Sequence, residues 1–217
     1  MPARHTLRFF TPDAFFHVYN RGVEKRKIFM DEEDQKIFLY YLFIYLADPE
    51  VVKRSYPKLR PHLVNGNLSS KVKLLCYSLM PNHFHFLLHQ TEKENISKLL
   101  KQLTNAYTLY FNTKYHRVGP LFQGRFKAVQ VDNDNYLLHL TRYIHQNPLK
   151  INFVLSALKN YPWSSYPYYL GMEANSFTDK NFVLDYFSTK NPNFTYKNFV
   201  ENTNDLVVPE NLVLEDD

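Results

Sequence analysis

The sequence predicts a single α+β domain organised around one strand-turn-strand unit. Three observations carry that reading. Residues 72–79 and 83–89 are apolar-rich runs of strand length, separated only by the turn Met80-Pro81-Asn82. Longer stretches around residues 34–46, 95–110 and 136–147 place apolar residues at helical spacing between and after the strands. At 217 residues the chain is long enough to bury a sizeable core in one domain.

Taken in order, Ala14-Phe15-Phe16-His17-Val18-Tyr19 is the expected first strand, ended by the turn Asn20-Arg21-Gly22. Lys25, Arg26 and Lys27 make a basic turn, ordinarily solvated but able to grip a phosphate backbone. Asp31-Glu32-Glu33-Asp34 puts four acids at a helix start, where the macrodipole favours them. That helix runs through Leu39, Leu42, Phe43 and Leu46 to stop near Asp48-Pro49. Residues 49–70 are broken by Pro49, Pro57, Pro61 and Gly66 and made basic by Lys53, Arg54, Lys58 and Arg60, so a loop or loose hairpin is expected there.

Beyond the central unit, Asn95 is the expected cap of a second helix with Ile96, Leu99, Leu100, Leu103, Tyr107 and Tyr110 as its apolar stripe. After Gly119-Pro120, residues 121–131 are expected as a further strand on which Gln123, Arg125 and Lys127 share a face as a polar, basic ladder. Asp132 or Asp134 is expected to cap a third helix, which Pro148 stops because the residue before proline avoids the α region. Tyr161-Pro162-Trp163-Ser164-Ser165 reads as a packed turn, and from Met172 the chain turns polar and ends on Glu215-Asp216-Asp217. The division expected is a domain over residues 1–171 and a C-terminal extension of unknown role over 172–217.

Composition narrows the function. The lone Cys76, set in an apolar run, excludes an internal disulfide and any cysteine-rich zinc module. The residues from Met1 to His5 lack a secretion signal's apolar run, and the longest such run, residues 37–47, falls short of the roughly 20 that cross a bilayer. A soluble cytoplasmic protein with no membrane partner is expected. A formal charge of +5, a pI near 9.1 and 17 % aromatic residues suit a nucleic-acid ligand, although most of those aromatics must be core.

The chemistry gathers at His83-Phe84-His85. On a strand, residues two apart project to the same face, so both imidazoles point one way while Phe84, Phe86 and Leu88 anchor the other face. A wet strand face is the plain explanation; two imidazoles side by side are also half of a divalent metal site. The third helix can complete it. Tyr143 and Asn147 are four apart and share a helix face. Among the tyrosines only Tyr143 and Tyr169 have a metal-competent residue at i+4, and Gly171 argues against a helix at the latter. The plainer explanation is a core tyrosine and a helix-capping asparagine.

These residues resemble a known family. Met80-Pro81-Asn82-His83-Phe84-His85 looks like the histidine-hydrophobic-histidine motif of the HUH single-strand nucleases. Arg142-Tyr143-Ile144-His145-Gln146-Asn147-Pro148 resembles the tyrosine helix of the REP-associated tyrosine transposases, relatives of the small single-tyrosine insertion-sequence transposases. Asn20-Arg21-Gly22 with Ile28-Phe29, Leu121-Phe122-Gln123-Gly124-Arg125 and Trp163-Ser164-Ser165 stand in the family's order, and the likeness covers about residues 13–170. Phe122 replaces a common tryptophan, and the tail matches nothing in the family.

The resemblance implies a central antiparallel sheet with helices packed on one face, in the ferredoxin or RNA-recognition layout of the HUH nucleases. It implies Mg²⁺ or Mn²⁺ held by His83, His85 and Asn147, polarising a scissile phosphate of single-stranded DNA. Tyr143 would attack that phosphate to leave a 5′-phosphotyrosine, so strands can be rejoined without ATP. Arg21, Lys25, Arg26 and Lys27, with Gln123, Arg125 and Lys127, would form the DNA track. Single-stranded or hairpin DNA is the expected partner, and a homodimer stays open.

Three other readings compete. A metallo-β-lactamase-like hydrolase also starts with such a histidine pair, but Phe86 and Leu87 stand where its next acidic ligand belongs. A domesticated protein could keep the fold to bind hairpin DNA without cutting it. An RNA-binding module of similar topology needs exposed aromatics where this chain offers His83 and His85.

Overall fold

Four strands, β1 (Ala14–Arg21), β2 (Val72–Met80), β3 (His83–Gln90) and β4 (Lys127–Val131), form one antiparallel sheet in the order β2-β3-β1-β4. The computed structural model describes residues 11–188, 190–191 and 194–202, so the expected start at Met1 and the acidic end Glu215-Asp216-Asp217 lie outside the described residues. Helices α1 (Glu32–Leu46), α2 (Pro49–Ser55) and α3 (Pro61–Val64) lie between β1 and β2. Helix α4 (Asn95–Lys114) joins β3 to β4, and α5 (Asp134–Gln146) follows the sheet. The order β-α-β-β-α-β, with β1 and β3 central, is the ferredoxin-like layout.

Strand alternation divides the core in two. Phe16 and Val18 of β1, Leu74 and Leu79 of β2, and Phe84, Phe86 and Leu88 of β3 pack against α1 and α4 through Phe38, Leu42, Leu99, Leu103 and Tyr107. The opposite face, with Leu87 and Val131, packs against Leu137, Leu140, Tyr143 and Ile144 of α5. A register shift between Leu74 and Cys76 lets Leu75 and Cys76 join this second cluster. The expected one-sided helix layer is therefore α1 with α4, and α5 adds a second layer over the face that carries the histidines.

Several elements differ from the sequence expectation, each for a local reason. Residues 49–70 are not a plain loop: Pro49 and Pro61 sit in the first turns of α2 and α3, where a missing N–H costs nothing, and Asp48 caps α2. Asn95 lies inside α4 rather than capping it; the side-chain oxygen of Gln90 accepts from the Ile96 N–H instead, at 3.1 Å. Helix α5 is capped by Asn133, whose side chain accepts from the Tyr136 N–H at 2.8 Å, and neither Asp132 nor Asp134 does so. β4 is shorter than expected, because Gly124 at φ +74° turns the chain and leaves Gln123 and Arg125 in the preceding loop. The expected ladder of Gln123, Arg125 and Lys127 is not on one strand.

The segment after α5 belongs to the same core. Trp163 and Ser165 hydrogen-bond along the β2 edge, the former through its carbonyl to the Leu79 N–H. Helices α6 (Tyr166–Tyr169), α7 (Asn181–Leu184) and α8 (Tyr196–Glu201) send Tyr166, Tyr169, Val183, Tyr196 and Val200 into the cluster under α5. His145 of α5 is fully buried there, bonded to the Ser165 hydroxyl at 2.8 Å and the Tyr196 hydroxyl at 2.7 Å. Cys76 is buried, and that burial pushes its thiol far above the ordinary range. Among the described residues, no helix is long and apolar enough to cross a membrane.

Candidate active site

The histidine pair sits where strand alternation places it, on the α5 face of the sheet. His85 pairs with Tyr19 on β1, which in turn pairs with Lys127 on β4; His83 pairs with Arg21. Directly opposed residues share a face, so Lys127, Tyr19 and His85 form one row, with Arg21 and His83 in the next. The rings of His83 and His85 meet edge to face, 4.9 Å apart at 86°. Nδ1 of His83 lies 2.6 Å from the Asn82 side-chain oxygen, and Nδ1 of His85 lies 2.9 Å from Nε2 of His17. Burial, and then the nearby charges of His83, His17, Lys150 and Arg21, holds His85 well below the ordinary histidine range. Burial and Lys150 push His17 down to about 3. Both rings are thus neutral at pH 7, as metal ligation by imidazole requires.

Helix α5 brings in Tyr143, whose ring meets His85 edge-on at 5.6 Å and His17 at 6.1 Å. At the helix end the backbone dictates what Asn147 does. The Asn147 N–H bonds to the Ile144 carbonyl, three residues back, which deprives the Tyr143 carbonyl of its usual helical partner. The Asn147 side-chain NH₂ supplies the replacement at 2.9 Å. That fixes the amide and leaves its Oδ1 buried with no hydrogen-bond partner among the described residues. Pro148 does not halt the helical path: Asn147 keeps αR angles, and a 3₁₀ turn runs over Asn147–Ile151. That turn delivers Lys150, whose Nζ donates to the Tyr143 hydroxyl at 3.2 Å and lies 4.8 Å from the ring centre.

These donors fit a divalent cation. Oδ1 of Asn147 and Nε2 of His85 are both buried and without a hydrogen-bond partner among the described residues, a costly state that a bound cation relieves. Two imidazoles and an amide oxygen suit a borderline or hard ion of the Mg²⁺ or Mn²⁺ class. No group of three His, Cys, Asp or Glu side chains with metal-holding geometry occurs among the described residues, so the amide is needed to reach three donors.

The expected DNA contacts are placed unevenly. Arg21 and Lys127 stand beside the histidine row, Lys127 with its Nζ 5.8 Å from the Tyr19 ring centre. Gln123 and Arg125 are exposed in the loop before β4, held to the end of β1 through the Gln123 N–H and the Arg21 carbonyl. Lys25 and Lys27 are exposed, whereas Arg26 is turned onto Glu24 at 2.9 Å. The basic loop itself is fixed to the β2–β3 turn: the Gly22 N–H bonds to the Asn82 carbonyl, and a Cβ on Gly22 would stand 2.3 Å from the Arg26 carbonyl oxygen. Sequence reasoning missed His17 and Lys150. The first is hidden in an apolar run, and the second lies past a proline expected to end the helix.

With this fold and site geometry in view, the comparisons point to the transposases as what the chain is similar to. Residues 51–147 match the family model of the IS200-like transposases, a span that includes His83, His85, Tyr143 and Asn147. The fold is similar to that of the REP-associated tyrosine transposase solved bound to a REP hairpin, with a TM-score of 0.52 at 16 % identity over 82 % of this chain and 94 % of that one. The resemblance read from the motifs is thus found again in the family model and in the fold. A candidate transposase from Deinococcus radiodurans R1 aligns with a TM-score of 0.37 at 15 % identity, over 63 % of this chain and 92 % of that one. No curated protein matches the sequence.

Proposed function

We propose that this protein cleaves and rejoins single-stranded DNA through a 5′-phosphotyrosine on Tyr143, at hairpin or palindromic sequences. The observation that carries the reading is the packing of Tyr143 edge-on against buried, neutral His85, with the Asn147 oxygen, which has no hydrogen-bond partner among the described residues, one helical turn on. His83, His85 and Asn147 would hold Mg²⁺ or Mn²⁺, which when bound supplies Lewis-acid polarisation of the scissile phosphate.

The chain's own groups do the rest. The Tyr143 oxygen forms the new phosphorus–oxygen bond as the bond to the 3′-oxygen breaks; the phenol gives up a proton and the 3′-oxygen takes one up. One phosphodiester replaces another, so a free 3′-OH can run the step backwards. Lys150, hydrogen-bonded to the Tyr143 hydroxyl, places a cation beside the forming ester. Arg21 and Lys127 flank the histidine row and hold the strand by its phosphates, while Lys25, Lys27, Gln123 and Arg125 extend that track at the same end of the sheet. Arg26, turned onto Glu24, contributes less to it. A hairpin as the natural target is supported by the hairpin-bound structural neighbour. The protein acts in the cytoplasm, where its DNA is.

The test is denaturing electrophoresis of protein incubated with labelled hairpin DNA bearing single-stranded flanks, in Mn²⁺. Wild type carries label from the 5′-phosphate side, and Tyr143→Phe carries none while keeping DNA affinity. An adduct that persists in Tyr143→Phe moves the nucleophile elsewhere. Tight hairpin binding with no adduct in wild type leaves the non-cleaving hairpin binder.

A further inference from the structure

We infer that His17 is a positioning residue of the metal site: it holds the ring of His85 and accepts from its Nδ1 when a divalent ion takes the lone pair of Nε2. The inference rests on the metal-dependent reading above.

His17 occupies the middle of the apolar run Phe15-Phe16-His17-Val18 and is only 1 % exposed, a place where a polar ring costs stability unless it is bonded. Its Cα partner on β3 is Leu87, whereas His85 is partnered by Tyr19. His17 and His85 are therefore diagonal neighbours on one face, a separation that two rings can bridge. They do so at 2.9 Å between Nε2 of His17 and Nδ1 of His85, with ring planes 17° apart and centroids 5.2 Å apart. Tyr19 lies 5.0 Å from the His17 ring and 5.9 Å from the His85 ring, while Tyr143 meets both edge-on. The pair is thus flanked by two aromatic rings.

One proton is shared across that bond, and its two placements differ in consequence. If His17 donates from Nε2, the proton of His85 sits on its own Nε2, buried with no acceptor among the described residues. If His85 donates from Nδ1, its Nε2 is bare, and the proton of His17 sits on Nδ1, also buried with no acceptor there. Each placement leaves one buried N–H, so the protein alone sets little preference. A cation at Nε2 of His85 selects the second. The hydrogen bond from His85 to His17 then does what a carboxylate or carbonyl does behind other metal-binding histidines, orienting the ring and raising its basicity. His17 is not itself a ligand through Nε2, since that atom is already engaged.

The experiment compares His17→Phe, which keeps a ring but offers no acceptor, with His17→Gln, whose amide reaches about as far as Nε2. Mn²⁺ affinity is read from the free-ion electron paramagnetic resonance signal, with circular dichroism melting alongside. The expected result is a loss of roughly 10- to 100-fold in Mn²⁺ affinity for His17→Phe, largely recovered in His17→Gln. Long-range ¹H–¹⁵N correlation on wild type loaded with Mg²⁺ should show His85 protonated at Nδ1. Protonation at Nε2 in that sample overturns the inference without any variant, and so does wild-type Mn²⁺ affinity in His17→Phe while His83→Ala loses it. If wild type and His83→Ala both fail to bind Mn²⁺, the metal reading falls and the role of His17 falls with it.

Discussion

Replacing Lys150 with Met removes a cation hydrogen-bonded to the Tyr143 hydroxyl while keeping an apolar stem of similar length. The ammonium lies 3.2 Å from the phenol oxygen, so any phosphorus joined to that oxygen carries its charge within about 4 Å of Nζ. Two unit charges at about 4 Å interact by roughly 1 kcal/mol in water and roughly 4 at the effective dielectric of a protein surface. Lys150 is exposed, which favours the lower part of that range, about 1–2.5 kcal/mol. In rate this is a ~5- to 70-fold slowing of adduct formation. Lys150→Arg, which restores the charge, should recover most of it. The assay is single-turnover formation of the covalent complex with enzyme in excess over labelled hairpin DNA. Stability should change by less than ~0.5 kcal/mol, because the side chain is at the surface. Adduct formation at the wild-type rate in Lys150→Met would refute the argument that this cation serves the ester.

Two further outcomes follow from the charge layout and the buried histidines. Arg125→Ala should weaken hairpin binding and flatten the slope of log K against log salt by roughly 1, if the exposed guanidinium meets one phosphate; an unchanged slope in a salt titration removes Arg125 from the track. His145 is held neutral by burial, its pKa pushed down to about 3 against an ordinary 6.5. The unfolded chain therefore binds the extra proton between those values, so stability is full above about pH 6.5 and falls as pH drops, by up to about 1.4 kcal/mol per unit for each such histidine. His17 acts in the same direction. Urea midpoints measured from pH 7.5 to pH 5 should decline, and a flat series would show that these rings are not buried neutral.

The parts of the site that alternation or helical spacing governs were legible in the sequence. His83 and His85 share a face because they are two apart on a strand, and Tyr143 and Asn147 share a turn because they are four apart on a helix. What escaped depended on partners distant in sequence or on turn chemistry. His17 belongs to the site only because β1 pairs with β3 in one register, and nothing within Phe15-Phe16-His17-Val18 announces that register. Lys150 was hidden by reading Pro148 as a stop, when the chain runs on as a 3₁₀ turn. Pro49 and Pro61 were likewise read as breakers but open short helices. The polar character of the chain after Met172 concealed Val183, Tyr196 and Val200; the last two share a face of α8, but one i,i+4 pair in a short polar helix does not stand out.

The way α5 ends constrains what residue 147 can be. The Asn147 side chain must donate to the Tyr143 carbonyl, and its oxygen must also remain bare. Aspartate has no hydrogen to give and would set its charge against that carbonyl; leucine would satisfy neither demand; glutamine would need to fold back on itself to reach. A carboxylate at this position, which would bind the proposed ion more tightly, is therefore disfavoured by the helix backbone itself. With neutral donors throughout, an ion held as proposed would carry more net positive charge to the phosphate than one held by carboxylates.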